Sequence, residues 1–315
     1  MADFTGGAAP LGSRAIIGRL ATALEETSPP GWVDAIAMSV ASNQSSEEYK
    51  WLGMTAPLTE WLGGRNAKGF RTNGITIQNK RFESTLQVLV EEIRRDKTDQ
   101  IQLRISELAV RASQHWTKLL TDLIVTPGNA YDGTAFFGTG HTEGDSGTQD
   151  NALVPAMAGS TPTAAEMESA VIAAIQQALG FKDDQGEPMN TEARNFVCMV
   201  PAALFSVTAA ALTDSVIVDG SASRTNTLVN LAGYNVSFVV NPRLTNAVTF
   251  YLFRADSPSK SFILQEETAP QITALAEGSD LEFNSDMHQY GVKVSRNVGT
   301  AYWQYAIRNV LTASA

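Results

Sequence analysis

From Asp96 to Thr126 the apolar residues Ile101, Ile105, Leu108, Ala112, Leu119 and Leu123 recur every three or four positions, with Trp116 close beside the stripe. That spacing predicts one amphipathic helix. Asp96 or Thr98 caps it, Asp96 and Asp99 suit its positive N-terminal end, and Pro127-Gly128 stops it. At 1.5 Å per residue it is on the order of 40 Å long. A helix of that length with a single apolar stripe is the spine of a domain, and the rest of the chain must be laid along it.

Before the spine, residues 1–60 read as an arm. Ile16, Ile17, Leu20 and Leu24 give Ser13 to Glu26 a short amphipathic helix, which Pro29-Pro30-Gly31 ends, and a second apolar stretch runs from Trp32 to Val40. Two short elements joined by breakers cannot enclose a core, so their apolar faces must pack on something else. Next, Ile75 and Ile77 alternate with polar residues, and after Asn79-Lys80-Arg81 so do Phe82, Leu86, Val88 and Val90. The pattern predicts a long hairpin over 68–95. A two-stranded hairpin is marginal alone in water, so it must rest on the body or on another molecule.

After the spine, residues 128–160 read as a long loop rich in Gly, Asp, Ser and Thr. A second amphipathic helix spans Thr163 to Leu179. Strands Phe196–Val200, Val236–Val240 and Thr249–Phe253, with helix Ala202–Leu212, make an α/β unit with its own core. Beyond Ser261 the chain reads as strands: Phe262–Gln265, Leu281–Asn284, Tyr290–Val294 and Ala301–Arg308. These return strands are expected to pair with the hairpin base beside the spine.

Charge and cysteine content narrow the function. Charged residues are 18% of the 315, against about 25% in an average soluble domain. With hydrophobic content at 43%, that deficit points to a surface that meets other protein. Thirty-three acids against 23 bases leave a net charge of −10, which argues against holding a phosphate backbone by counterion release. The single cysteine, Cys198, permits neither an internal disulfide nor a cysteine zinc site and reads as a small buried hydrophobe. The longest nearly apolar run, Val200 to Leu212, is too short to span a bilayer.

A search for chemistry is mostly negative. Gly144-Asp145-Ser146-Gly147 looks like a serine-protease nucleophile region, but the histidines before it, His115 in the spine and His141 in the same loop, are not placed for a triad. His141, Glu143, Asp145 and Asp150 match no EF-hand or zinc spacing. No glycine-rich phosphate loop occurs. Lys80-Arg81 and Arg94-Arg95 are too small for a nucleic-acid platform. No catalytic residue, cofactor or metal is expected. Trp32, Trp51 and Trp61 stand out, because aromatics on an arm without a core of its own point to docking on a partner.

Several segments resemble the Mu-like phage major head subunit family. Tyr49-Lys50-Trp51-Leu52-Gly53, followed by Pro57-Leu58-Thr59-Glu60-Trp61-Leu62-Gly63-Gly64-Arg65, is similar to its N-terminal signature. So is Ile77-Gln78-Asn79-Lys80-Arg81-Phe82-Glu83-Ser84-Thr85, leading into Val88 and Glu91-Glu92-Ile93. Asp132-Gly133, Phe136-Phe137 and His141 are similar again, although Thr142 stands where the family leads one to expect Pro. Tyr290-Gly291-Val292 and Gly299-Thr300-Ala301-Tyr302-Trp303-Gln304 resemble the closing strands.

The resemblance implies an α+β chain with the Hong Kong-97-type phage capsid fold. Its parts are an N-terminal arm at 1–67, an extended β-hairpin loop at 68–95, a peripheral domain with the spine helix at 96–160 and 261–315, and an axial domain at 161–260. It implies a non-enzymatic major capsid protein of a tailed bacteriophage or prophage. Copies would self-assemble through pentamers and hexamers into an icosahedral shell around double-stranded DNA, bound without sequence specificity. The expected partners are further copies, a separate scaffold and protease, a portal at one vertex and a decoration protein, with no membrane. Assembly is expected in the host bacterial cytoplasm and residence in the virion. On this reading Trp32, Trp51, Trp61, Ile75, Ile77, Leu86 and Val88 are buried on neighbours, and Gly63, Gly64 and Gly74 are hinges. A Lys–Asn crosslink, as in some capsids of this fold, would draw on Lys68 or Lys80 and Asn284 or Asn297, but the family implies no such chemistry. The alternatives are an encapsulin-like compartment subunit and a hydrolase using the 138–150 loop.

Overall fold

The computed structural model describes residues 13–52, 72–95, 100–219 and 222–313. The chain opens with α1 (Ser13–Glu26), α2 (Gly31–Ile36), β1 (Ala37–Ala41), β2 (Ser46–Leu52), β3 (Thr72–Gln78) and β4 (Lys80–Leu89). Then come α3 (Val90–Arg95) and the long α4 (Gln100–Val125). Two-residue strands β5 (His141–Thr142), β6 (Thr148–Gln149), β7 (Ala152–Leu153) and β8 (Ala156–Met157) punctuate the loop after it. The middle of the chain holds α5 (Ala164–Gly180), β9 (Asn195–Val200), α6 (Phe205–Thr213), β10 (Val216–Asp219), β11 (Ala222–Thr225), β12 (Asn235–Val240) and β13 (Thr249–Arg254). It closes with β14 (Phe262–Leu275), α7 (Asp280–Ser285), β15 (Met287–Thr300), β16 (Ala306–Val310) and β17 (Thr312–Ala313).

Two larger sheets organise the body. One has the order β1-β14-β15-β4, with β1 parallel to β14 and the other pairs antiparallel. The other has the order β12-β9-β13-β16-β7. The spine helix joins their cores. Its first half puts Ile105, Leu108 and Ala109 against Ile16 and Leu20 of α1 and against Val88, Tyr290 and Val292 of the first sheet. Its second half sends Leu120 and Ile124 into the larger cluster with Val171, Phe250, Phe253 and Trp303. Each fully buried Val, Leu or Ile among these contributes about 1.5–3 kcal/mol. The expected caps Asp96 and Thr98 lie outside the described residues.

Local chemistry explains the other helices. Thr163 caps α5 with a reciprocal box: its Oγ1 accepts from Glu166 N at 3.2 Å, and Glu166 Oε2 accepts from Thr163 N at 2.7 Å. Pro29-Pro30 ends α1, and the stretch from Trp32 to Val40 divides into α2 and β1. Strands β9, β12 and β13 and the helix after β9 fall where their patterns put them.

Four expectations need correction. Residues 72–78 and 80–89 do not pair with each other: β3 pairs antiparallel with β2, and β4 pairs with β15 from Met287 to Arg296. A single residue, Asn79, separates the two runs, too few for a reversal, so the chain continues from one strand into the next. The two-stranded ribbon is therefore β2–β3, while β4 does meet a return strand beside the spine, as expected. Second, Leu281–Asn284 lies in helix α7 because Ser279 caps it, accepting from Glu282 N at 3.3 Å. Third, 301–308 is not one strand: a 3-10 turn at Trp303–Tyr305 precedes β16. Fourth, the 161–260 segment does not close its own sheet, since β16 and β7 come from outside it.

Candidate functional site

The ribbon leaves the body from a dense polar root. Tyr49 Oη donates to Gln265 Oε1 at 2.8 Å, and Gln265 Nε2 donates to Asn79 Oδ1 at 2.8 Å and Ile77 O at 3.2 Å. Asn79 Nδ2 in turn donates to Gln44 O at 2.7 Å and Ser42 Oγ at 3.1 Å. Asn297 Nδ2 reaches Gln78 O at 2.7 Å. Gln265 is fully buried, so every bond it makes replaces one lost to water. Burial then falls along the ribbon: Ile77 is buried with Ile263 and Ala301, Ile75 is half-buried, and Gly74 and Lys50 are exposed.

This geometry revises the expected contact residues. Ile77 and Val88, expected against neighbours, are buried within their own chain: Ile77 against Ile263 and Ala301, and Val88 where β4 pairs with β15 and α1 and α4 cover the same face. Trp32, Ile75 and Leu86 are half-buried against this chain's own clusters. Trp51 stands in β2 opposite Asn73. Trp61, Gly63 and Gly64 lie outside the described residues. Gly74, expected as a hinge, is a ladder residue opposite Lys50 without a positive φ, so the backbone there is held rather than free. Of the crosslinking candidates, Lys68 lies outside the described residues, Lys80 pairs in the ladder with Arg296, and Asn284 Nδ2 donates to Asp280 O at 2.8 Å.

The exposed apolar side chains stand elsewhere. Phe283 in α7 is 91% exposed, Val154 67%, Val218 66% and Leu103 60%. Val216 and Val218 share one face of the β10–β11 pair, with Ile217 buried on the other. The sequence carries a signal for this pair, in the β-branched run Val216-Ile217-Val218 before Asp219-Gly220. Glu168 fixes the pair to α5: fully buried, it accepts from Thr227 N at 2.6 Å and forms an ion pair with Arg224.

The 138–150 loop is a structural knot. His141 is fully buried, stacked on Trp303 at 4.0 Å between centroids, and its Nδ1 donates to Asp132 Oδ2 at 2.6 Å. Ser146 Oγ donates to Gly147 O and accepts from Glu143 N, each at 2.9 Å, and no hydrogen bond joins it to His141. Tyr131 Oη donates to Glu143 Oε2 at 2.9 Å, and burial pushes both the phenol and the carboxyl above their ordinary pKa. Asp150 Oδ1 accepts from Ala152 N at 2.7 Å. These side chains thus hold separate bonds, with His141 Nε2 buried and unpartnered, and among the described residues no cluster of three or more His, Cys, Asp or Glu converges as a metal site. Cys198 is sealed in β9, where burial raises its thiol pKa to about 12. Among the described residues no helix is long and apolar enough to cross a membrane.

Comparison with known proteins adds a family and a fold. The profile of the family described as Mu-like prophage major head subunit gpT matches residues 19–165 and 232–314, well over half the chain. The chain is 30% identical over 117 residues to the Mu-like prophage FluMu major head subunit of Haemophilus influenzae, covering 36% of this chain and 38% of that one. It is 33% identical over 116 residues to the major capsid protein of Escherichia phage Mu, covering 36% and 37%. The matched stretch therefore spans less than two fifths of either relative. Among solved structures, the procapsid of bacteriophage JBD30 aligns with a TM-score of 0.53 and 22% identity over 95% of this chain and 74% of that one. The mature capsid of bacteriophage PhiM1 aligns with 0.57 and 10% over 89% and 86%. A virus-like particle from Pyrococcus furiosus aligns with 0.53 and 10% over 93% and 96%. At these identities the likeness shows the fold, which is α+β and of the Hong Kong-97 capsid type.

Proposed function

The chain belongs to the Mu-like prophage major head subunit family, and on that basis we propose that it is the major capsid protein of a tailed phage or prophage. Copies assemble through pentamers and hexamers into an icosahedral shell that encloses double-stranded DNA. The role is structural, without catalysis. Assembly takes place in the host bacterial cytoplasm and the product resides in the virion. A separate scaffold and protease, a portal and a decoration protein complete the expected set of partners.

The observation that carries this reading is the β2–β3 ribbon. A two-stranded ribbon is marginal in water. Here it is anchored at one end by Tyr49, Asn79 and Gln265 and loses burial toward the other. Such an element gains its remaining stability from a neighbouring molecule. Many modest contacts per subunit then add up, because each copy engages several others at once.

The same fold in the Pyrococcus furiosus particle keeps a compartment reading second. Electron microscopy with sedimentation of the purified protein expressed alone tests the proposal. Rings, tubes or shells are expected, and packaged protein cargo instead of DNA in particles from cells would favour the compartment. A uniform monomer at high concentration would overturn assembly, and Ser146-dependent ester or peptide hydrolysis by it would promote the hydrolase.

A further inference from the structure

Where β13 and β16 run antiparallel, a cleft of about 180 Å³ opens beside the end of α4. Arg308 lines it, half-buried, with its Nε sealed from solvent and without a hydrogen-bond partner. Thr249, in the ladder opposite Val310, lines it too. It is 5% exposed, and its Oγ1 is also unpartnered. The Arg308 guanidinium carbon lies 5.6 Å from the Phe137 ring centroid, which holds the side chain by a cation–π contact rather than by a carboxylate. Asn246, on the same wall, keeps its Oδ1 on Val248 N at 3.1 Å, which leaves the amide NH₂ as its donor end. Val125, 50% exposed at the end of α4, supplies an apolar rim.

Three kinds of donor thus share one cleft: a guanidinium fork, a hydroxyl and an amide. None of the chain's described carboxylates reaches Arg308, although acids outnumber bases by 33 to 23. The sealed Nε is closed to an incoming group, but the terminal N–H groups of half-buried Arg308 are not, and that planar edge fits a carboxylate with two parallel hydrogen bonds. We propose that this cleft is a carboxylate receptor, in which Arg308, helped by Thr249 and Asn246, takes an aspartate or glutamate side chain of a second copy during assembly. The occupant is another copy because the cleft's rim carries an exposed apolar side chain, Val125, and because a chain of net charge −10 offers the carboxylates that complement Arg308. The inference rests on the assembly reading above.

The test compares wild type with R308Q, R308K and T249V, each checked first for an unchanged monomer melting curve. R308Q is expected to raise the critical concentration for assembly about tenfold or more, T249V by less. In R308K assemblies grown from mixed light and ¹⁵N-labelled subunits, a carbodiimide, which couples an amine to a carboxylate, should join the position-308 peptide to an Asp- or Glu-containing peptide of the other isotope. Wild-type protein that never assembles would defeat the assembly reading, and this inference with it. Normal assembly of R308Q would overturn the receptor alone. So would a crosslink confined to one isotope, or assembled R308K without any crosslink. Should R308Q fail the melting check, R308K and T249V carry the decision.

Discussion

Ile77 occupies the space that a side chain at position 299 would need: a Cβ built on Gly299 would meet the Ile77 side chain. Here β3 crosses the end of β15, and only the missing side chain lets the buried isoleucine seat the ribbon on the sheet.

Gly299→Ala should therefore displace Ile77 and loosen the ribbon root. Overpacking of this kind costs about 1–3 kcal/mol. Urea denaturation of the unassembled protein measures it. A midpoint unchanged from wild type would mean the two residues do not compete for space.

Asn79→Ala should also weaken the root, for a different reason. It removes three hydrogen bonds at once and takes a partner from the fully buried Gln265. A buried polar group left short of partners costs about 1–3 kcal/mol. Limited proteolysis should cut residues 42–52 and 72–79 faster in the variant than in wild type, and equal rates would count against the network.

His115 should give the fold a pH dependence. Burial first, then the charges of Arg296 and Lys118, hold its pKa down at about 4. In the folded chain its Nδ1 accepts from Arg296 Nε at 3.2 Å, as a neutral ring must. In the unfolded chain the ring takes a proton near pH 6.5. Between about 6.5 and 4 the unfolded state binds more protons, so this contribution is complete above that window and is lost as the pH falls through it. Asp256 acts lower down. Burial pushes its pKa up, but Arg254 and the amides of Arg194 and Asn195 hold it below the ordinary value, so its contribution disappears only below about 4. Denaturation at pH 4.5, 5.5 and 7 should show a slope that H115N flattens, and parallel curves would refute the assignment.

Glu168 and Arg224 should respond unequally to mutation. Burial opposes the Glu168 charge, yet Arg224 and the Thr227 amide hold its pKa below the ordinary value. R224A leaves a buried carboxylate without its counter-ion, at a cost of about 2–3 kcal/mol. E168Q leaves a neutral amide and an Arg224 side chain 37% exposed to water, and should cost less. Melting curves of both proteins check the order, and the reverse order would overturn it.

The elements that local chemistry decides are legible in the sequence. The spine stripe, the Thr163–Glu166 box and the Pro29-Pro30 stop each act within a turn or two of the chain. Strand partners are not legible in that way. A period of two shows that Ile75 and Phe82 lie in strands, but the same alternation fits a β3–β4 hairpin and the observed pairing of β3 with β2 and β4 with β15. The residue that decides, Asn79, acts through Ser42, Gln44 and Gln265, up to 186 positions away. Burial of Ile77 and Val88 is hidden for the same reason, since Ile263 and Ala301 cover the first and α1, α4 and β15 cover the second. Arg308 stands in a strand pattern like any other, and its lack of a carboxylate emerges only once the fold is formed.

Asn79 belongs to the joint between β3 and β4, and β4 carries Leu86 and Val88 beneath the first half of α4. That arrangement makes the root a fulcrum. A load applied along the ribbon cannot be absorbed at a loose joint. The covalent and packed path for it runs through Asn79 into β4, to the β15 ladder, and to the α4 face packed with Leu86 and Val88. Strain imposed on one ribbon would thus bear first on the sheet under the spine rather than stay in the ribbon.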